Sequence, residues 1–228
     1  MAKTATVKNP SISKEEIIEQ AYIDYVLTQN EEPKSVFDFA KKIQMTEGEF
    51  YKYFSSFSSI KKTIWNDLTE KAIDEVKLQQ SWTAYTSREK MLSFFYAYVE
   101  LLKGYRSFII YCLNNKETKI STPSFLIGTK ELFLNFSEEV INEGLASGEL
   151  ANRKFFAQKY KDGLWIQLAF ILNFWVEDDS DSFEKTDEAI EKGVQLTFDL
   201  FQRSPLDQIF EYGKFLARNG KLKEKMRF

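Results

Sequence analysis

Three times within its first fifty residues the chain sets a hydroxyl side chain three positions ahead of a carboxylate at the head of an apolar-periodic stretch: Ser13 before Glu16, Ser35 before Asp38, Thr46 before Glu49. A hydroxyl just before a helix accepts from a free backbone N–H of the first turn, and an acid three residues on reaches back to the cap. Apolar residues at helical spacing accompany each pair. They are Ile18, Ala21, Tyr22, Tyr25 and Val26, then Val36, Phe39, Ala40 and Ile43, then Phe50, Tyr51 and Phe54. The spacing predicts a helix ending near Asn30, a turn at Glu31-Glu32-Pro33, a short second helix, a tight connection at Gln44-Met45, and a third helix.

The helical reading carries through the rest. The Ser-rich stretch 55–59 opens a long helix with Ile60, Ile64, Leu68, Ala72 and Val76 on one face. Thr86 and Glu89 start another, carrying Met91, Leu92, Phe95, Val99 and Leu102, which Gly104 ends. A short helix is expected over 105–113, and Pro123 suits the first position of one running to about Ala146. Asn152 is placed to cap a helix that runs to about Val176. An acidic loop leads to one ending near Arg203, and Ser204-Pro205 opens a last, stopping at Asn219-Gly220. With 4 Pro and 9 Gly in 228 residues, strands and their turns have little support, and the fold class is all-α.

Composition narrows the chemistry. The absence of His excludes His-based acid–base catalysis, Ser-His-Asp and Cys-His nucleophiles, and His-containing zinc sites. With no phosphate loop and no metal-ligand spacing either, neither an enzyme nor a cofactor is expected. The one cysteine, Cys112, forms no internal disulfide framework and reads as a small buried residue. From Glu177 to Glu191 carboxylates face a single cation, Lys185, a pattern of a solvated loop and helix start. The most apolar stretch, Leu164 to Val176, is short for a membrane span and holds Gln167 and Asn173. No apolar segment follows the N-terminal lysines, so a cytoplasmic location without membrane contact is expected. A net charge of −3 means that any nucleic-acid binding must come from a local basic patch.

Such a patch lies over residues 33–62, where Lys34, Lys41, Lys42, Lys52, Lys61 and Lys62 face only Asp38, Glu47 and Glu49. Two short capped helices with a tight turn form a helix-turn-helix, whose second helix enters the major groove. Here the chain resembles the TetR family of transcriptional regulators. Members read roughly Thr-x-x-x-Ile-Ala, then Ala-Gly-Val-Ser-Lys-Gly-Thr-Leu-Tyr-x-His-Phe, then Ser-Lys-Glu-x-Leu. Phe39-Ala40, Thr46, Gly48, Phe50-Tyr51, Tyr53-Phe54, Ser56 and Ile60 stand in register with that pattern. The resemblance covers about the first quarter of the chain. Phe57 stands where relatives often have Lys, Gln44 replaces a turn glycine, and Glu47 and Glu49 replace basic or small hydroxyl residues.

The resemblance implies a helix-turn-helix domain over 1–54, a connecting helix beginning at 55–78, and a ligand-binding and dimerisation domain over 79–228. It implies operator DNA, a small apolar or aromatic ligand and a second copy of the chain as partners, with repression relieved by the ligand. Ser35 and Thr46 are placed to offer hydroxyls and helix N-termini to phosphates. Gly48 permits close approach to a neighbour or to DNA. Tyr51 and Lys52 suit phosphate oxygens, and Lys61 and Lys62 the backbone. Glu47 suits either a cytosine amino group or the helix N-terminus, and Glu49 the third position of a capping box. Phe50 and Phe54 belong to the core.

In the second domain the aromatic surplus points to a ring-lined cavity on the order of 300 Å³ or more. Its candidates are Phe95, Tyr98, Tyr105, Phe108, Tyr111, Phe133 and Trp165, with Gln167 as an orienting group. The dimer is expected on the last two long helices, with Leu164, Leu168, Ile171, Trp175, Val194, Phe198 and Phe201 as surplus apolar surface. The pattern also fits a chain of this fold that has lost DNA reading and holds a lipid or other apolar ligand.

Overall fold

The computed structural model describes residues 13–115, 122–153, 159–202 and 212–216. Nine α-helices lie wholly among them: α1 (Lys14–Gln29), α2 (Val36–Lys42), α3 (Glu47–Phe50), α4 (Phe57–Lys77), α5 (Ser87–Lys103), α6 (Arg106–Asn114), α7 (Ile127–Ser147), α8 (Tyr160–Glu177) and α9 (Glu184–Phe201). No strand occurs among the described residues, and the fold is all-α. None of these helices is long and apolar enough to cross a membrane. The last expected helix falls largely outside the described residues, although 212–216 are helical.

The local rules hold at the helix starts. Ser13 and Thr46 each form a full capping box, with Glu16 and Glu49, and the Ser35 hydroxyl accepts from the Asp38 N–H. Thr86 and Glu89 exchange the same pair of contacts ahead of α5. One start differs. The eighth helix begins at Tyr160, with no side-chain cap at Lys159. Asn152 lies in non-helical chain, and residues 154–158 between them are outside the described set.

The chain divides into two compact units, residues 1–71 with 101–131, and residues 72–100 with 132–228. The compact units do not follow the expected boundary near residue 78: α6 and the start of α7 cluster with the N-terminal helices. The first unit is built on rings. Phe57 stacks on Tyr22 with centroids 5.8 Å apart and meets Phe39 at 5.3 Å and Phe50 at 5.8 Å. Phe108 of α6 reaches the Tyr22 ring edge-on. Cys112 is buried, which pushes its thiol up to about 12, so it is a packing group rather than a nucleophile.

The second unit buries Phe94, Phe95 and Tyr98 of α5 against Phe133 and Phe136 of α7. Phe133 also meets Trp165 of α8 at 6.1 Å. Polar contacts fasten helix ends. The Glu149 carboxylate accepts from the backbone N–H groups of Ser87 and Arg88 at the start of α5. Asp178 accepts from the backbone and hydroxyl of both Ser180 and Thr186 ahead of and within α9. The Arg153 guanidinium donates to the carbonyls of Leu200 and Gln202 at the far end of α9.

Candidate functional site

The helix-turn-helix forms through local chemistry. Between α2 and α3 the backbone turns at Gln44, whose φ of 58° is in the left-handed region that glycine enters without penalty. The Met45 N–H returns to the Ala40 carbonyl and closes the turn. The third helix is one turn long and continues in turn conformation through Tyr53. Its Phe50 is fully buried and Phe54 nearly so. That fixes the opposite face outward, with Glu47, Gly48, Tyr51 and Lys52 exposed.

The residues at the head of α3 differ in what the chain asks of them. An added Cβ at Gly48 would meet nothing within 4 Å, so no neighbour among the described residues requires glycine there. Glu49 is occupied internally. Its carboxylate accepts from the Thr46 N–H at 3.0 Å and pairs with Lys14 at 3.2 Å. The Thr46 backbone bond, with Lys14 and the Thr46 hydroxyl behind it, holds the acid down to about 2. Glu47, one turn-position earlier, makes no side-chain hydrogen bond or ion pair among the described residues.

The other expected contacts divide likewise. The hydroxyls of Ser35 and Thr46 are engaged in their caps. Lys61 pairs with Glu32 at 2.5 Å and lies over the Phe125 ring, whereas Lys62 is exposed. Phe57, where relatives often carry Lys, is the ring that joins α1, α2 and α3. Its departure from the pattern thus serves the core rather than the surface.

The eight residues expected around a ligand fall in both units. Tyr105, Phe108 and Tyr111 belong to the first. There, Tyr105 and Phe108 help bound an open cleft of about 220 Å³ with Gln20, Ile23, Leu27 and Arg106. Phe95, Tyr98, Phe133, Trp165 and Gln167 belong to the second. The first three are fully buried, and each meets another ring of its unit or lies within one helical turn of one that does. Rings that one helix face cannot hold are taken up by α7 and α8. Gln167 is buried, accepts from the Thr197 hydroxyl at 2.8 Å, and leaves its amide nitrogen without a partner among the described residues. That nitrogen lies 2.9 Å from where a Cβ on Gly193 would sit, so glycine is what lets the amide enter the α8–α9 seam.

No curated protein matches the sequence significantly. Solved structures do match in fold. A structure from Shewanella sp. PV-4, assigned to the TetR family of transcription regulators, has a TM-score of 0.58 at 14% identity, covering 84% of this chain and 100% of that one. The fatty acid degradation regulator FadR from Bacillus halodurans gives 0.60 at 17% identity, covering 85% and 97%. FadR from Bacillus subtilis, solved in complex with stearoyl-CoA, gives 0.57 at 18% identity, covering 79% and 98%. The model of the tetracyclin repressor-like C-terminal domain matches residues 90–216. That is over half of the chain and lies outside the helix-turn-helix segment, where the motif resemblance was read. The chain belongs to the TetR family.

Proposed function

We propose that the chain is a DNA-binding transcriptional regulator, a repressor released by an apolar ligand. One observation carries the reading. The face of α3 away from the core offers Glu47, Gly48, Tyr51 and Lys52 to solvent, and no internal contact explains the missing side chain at Gly48. A glycine and a phenol beside a lysine suit a surface that lies against a phosphate-lined groove. In this reading residues 1–54 read the operator, α4 connects, and the chain beyond residue 79 holds ligand and partner.

The ligand reading rests on the ring cluster of α5, α7 and α8. Phe95, Tyr98 and Phe133 pack fully buried with Trp165 beside them, so an alkyl chain or a ring would have to part these rings to lie among them. The relative solved with stearoyl-CoA makes a fatty acyl thioester the first compound to test. The guest would favour a conformer in which the recognition helices of a dimer no longer match successive major grooves.

Binding of genomic fragments across a salt series tests the DNA reading. Lys52→Ala should weaken binding to every sequence and reduce the salt slope by about one unit, and Tyr51→Phe should weaken it without that change. Parental affinity in both variants at all salt concentrations would remove this face from the interface. The reading in which DNA binding has been lost is favoured by the pairing of Lys61 with Glu32. It predicts no salt-dependent binding by the parent, together with a rise in melting temperature on adding acyl-CoA.

A further inference from the structure

The two acids of α3 look alike in sequence and differ in the structure. Glu49 is committed to its cap and to Lys14. Glu47 is exposed and has no side-chain partner among the described residues. It occupies the first helical position after the Thr46 cap, with Gly48 beside it open to solvent and Tyr51 one turn further on. On a helix that lies in a major groove, the N-terminal residues are those that reach base edges.

We propose that Glu47 is a specificity-determining residue, and that each operator half-site carries a C·G pair whose cytosine amino group donates to its carboxylate. The inference rests on the DNA-binding reading above and adds the chemistry of the base that is read. A carboxylate only accepts hydrogen bonds, so it discriminates by what a base cannot offer. Guanine presents two acceptors in the major groove, and thymine an acceptor and a methyl group. Adenine has an amino donor, but its N7 acceptor sits beside it and repels the second oxygen. Cytosine alone presents a donor with no acceptor on the same base. Phosphate repels a carboxylate, so Glu47 gains nothing from the DNA backbone. In a two-fold dimer the C·G pair recurs once in each half-site.

The test is selection of bound duplexes from a randomised pool by the full-length protein, followed by affinity measurement on single-base variants of the selected site. The parent is expected to enrich a C·G pair at matched positions of the two half-sites. Replacing that pair should cost the parent about tenfold in affinity. Glu47→Ala should abolish this discrimination, leaving preferences at other positions intact. Glu47→Gln should move the preference toward A·T, because an amide pairs with both the adenine amino group and N7. Both variants should melt close to the parent, as the Glu47 side chain makes no hydrogen bond or ion pair among the described residues. The proposal is overturned if both variants keep the parental preference at every position. It is overturned too if the parent binds DNA without enriching a C·G pair, which leaves the DNA-binding reading standing. If the parent binds no duplex even at low salt, that reading falls and the inference with it.

Discussion

Asp178 shows how much one side chain holds. It sits between α8 and α9 and accepts from the N–H and the hydroxyl of both Ser180 and Thr186, the two hydroxyls at 2.6 Å. Burial alone would raise its carboxyl. The Ser180 and Thr186 donors outweigh that and hold it well below the ordinary value of 3.8. A carboxyl depressed in the folded state contributes stability above its ordinary value, and that stability is lost as pH falls below it. Asp178→Ala should therefore lower stability by about 2 kcal/mol at neutral pH, since buried donors are left unmatched. The gap between parent and variant in urea midpoints should close below pH 3.8. An equal gap at pH 7 and at low pH would show that packing, not charge, is what the substitution removes. At this scale the sequence was informative wherever the chemistry is local. Ser13, Ser35 and Thr46 cap as expected, and the capping role of Glu49 is readable from its spacing to Thr46. The roles of Phe57 and Gln167 were not readable. Both depend on what another helix brings to them.

Between elements, the seam of α1 and α4 carries an unusual charge. Glu19 on α1 has one carboxylate oxygen buried with no hydrogen-bond partner among the described residues. Burial, with Asp67 of α4 and Glu15 adding, pushes Glu19 up to about 7; Lys71 opposes and Glu16 adds a little. Asp67 is itself raised by burial. The sign follows from linkage. A carboxyl raised in the folded state binds its proton more tightly there than in the unfolded chain. Stability thus falls as pH rises from the ordinary 4.5 to about 7 and stays lower beyond. Glu19→Gln should flatten that fall and leave the variant more stable than the parent at pH 8. Parallel denaturant midpoints for parent and variant between pH 5 and pH 8 would refute the assignment. Periodicity placed Ile18, Tyr22 and Val26 on the buried face of α1 correctly. It gave no sign that Glu19, next to Ile18, would also be drawn inward, because the approach of α4 is a tertiary fact.

For the whole molecule, assembly turns on the surface that a second copy would cover. The sequence pointed to α8 and α9 but to the wrong faces. Leu164, Leu168, Ile171, Trp175, Val194, Phe198 and Phe201 are all buried within the unit, so they are core and not surplus. The reason lies in α8 itself. Leu164 to Val176 is apolar nearly all round, and such a helix carries no phase from which to tell core from exterior. The structure supplies the phase. Ile166 is 68% exposed and Phe170 59%, one turn apart on α8, and on α9 Leu196 is 61% exposed and Leu200 53%. These residues flank the seam where Gln167 accepts from Thr197. Four large apolar side chains held more than half in water are costly to a monomer. A two-fold axis would set each patch against its own copy. A stable interface needs about 800 Å² from each protomer, more than four side chains provide, so the flanking Asn173 and Gly193 would also be covered. The parent should therefore sediment as a dimer at micromolar concentration. Phe170→Glu combined with Leu196→Glu places four carboxylates at the interface of each dimer and should yield monomers with an unchanged helical spectrum. Such monomers should bind a two-half-site duplex far more weakly than the parent, because the linkage between half-sites is lost. A parent that sediments as a monomer, or a double variant that stays dimeric, would place the partner elsewhere.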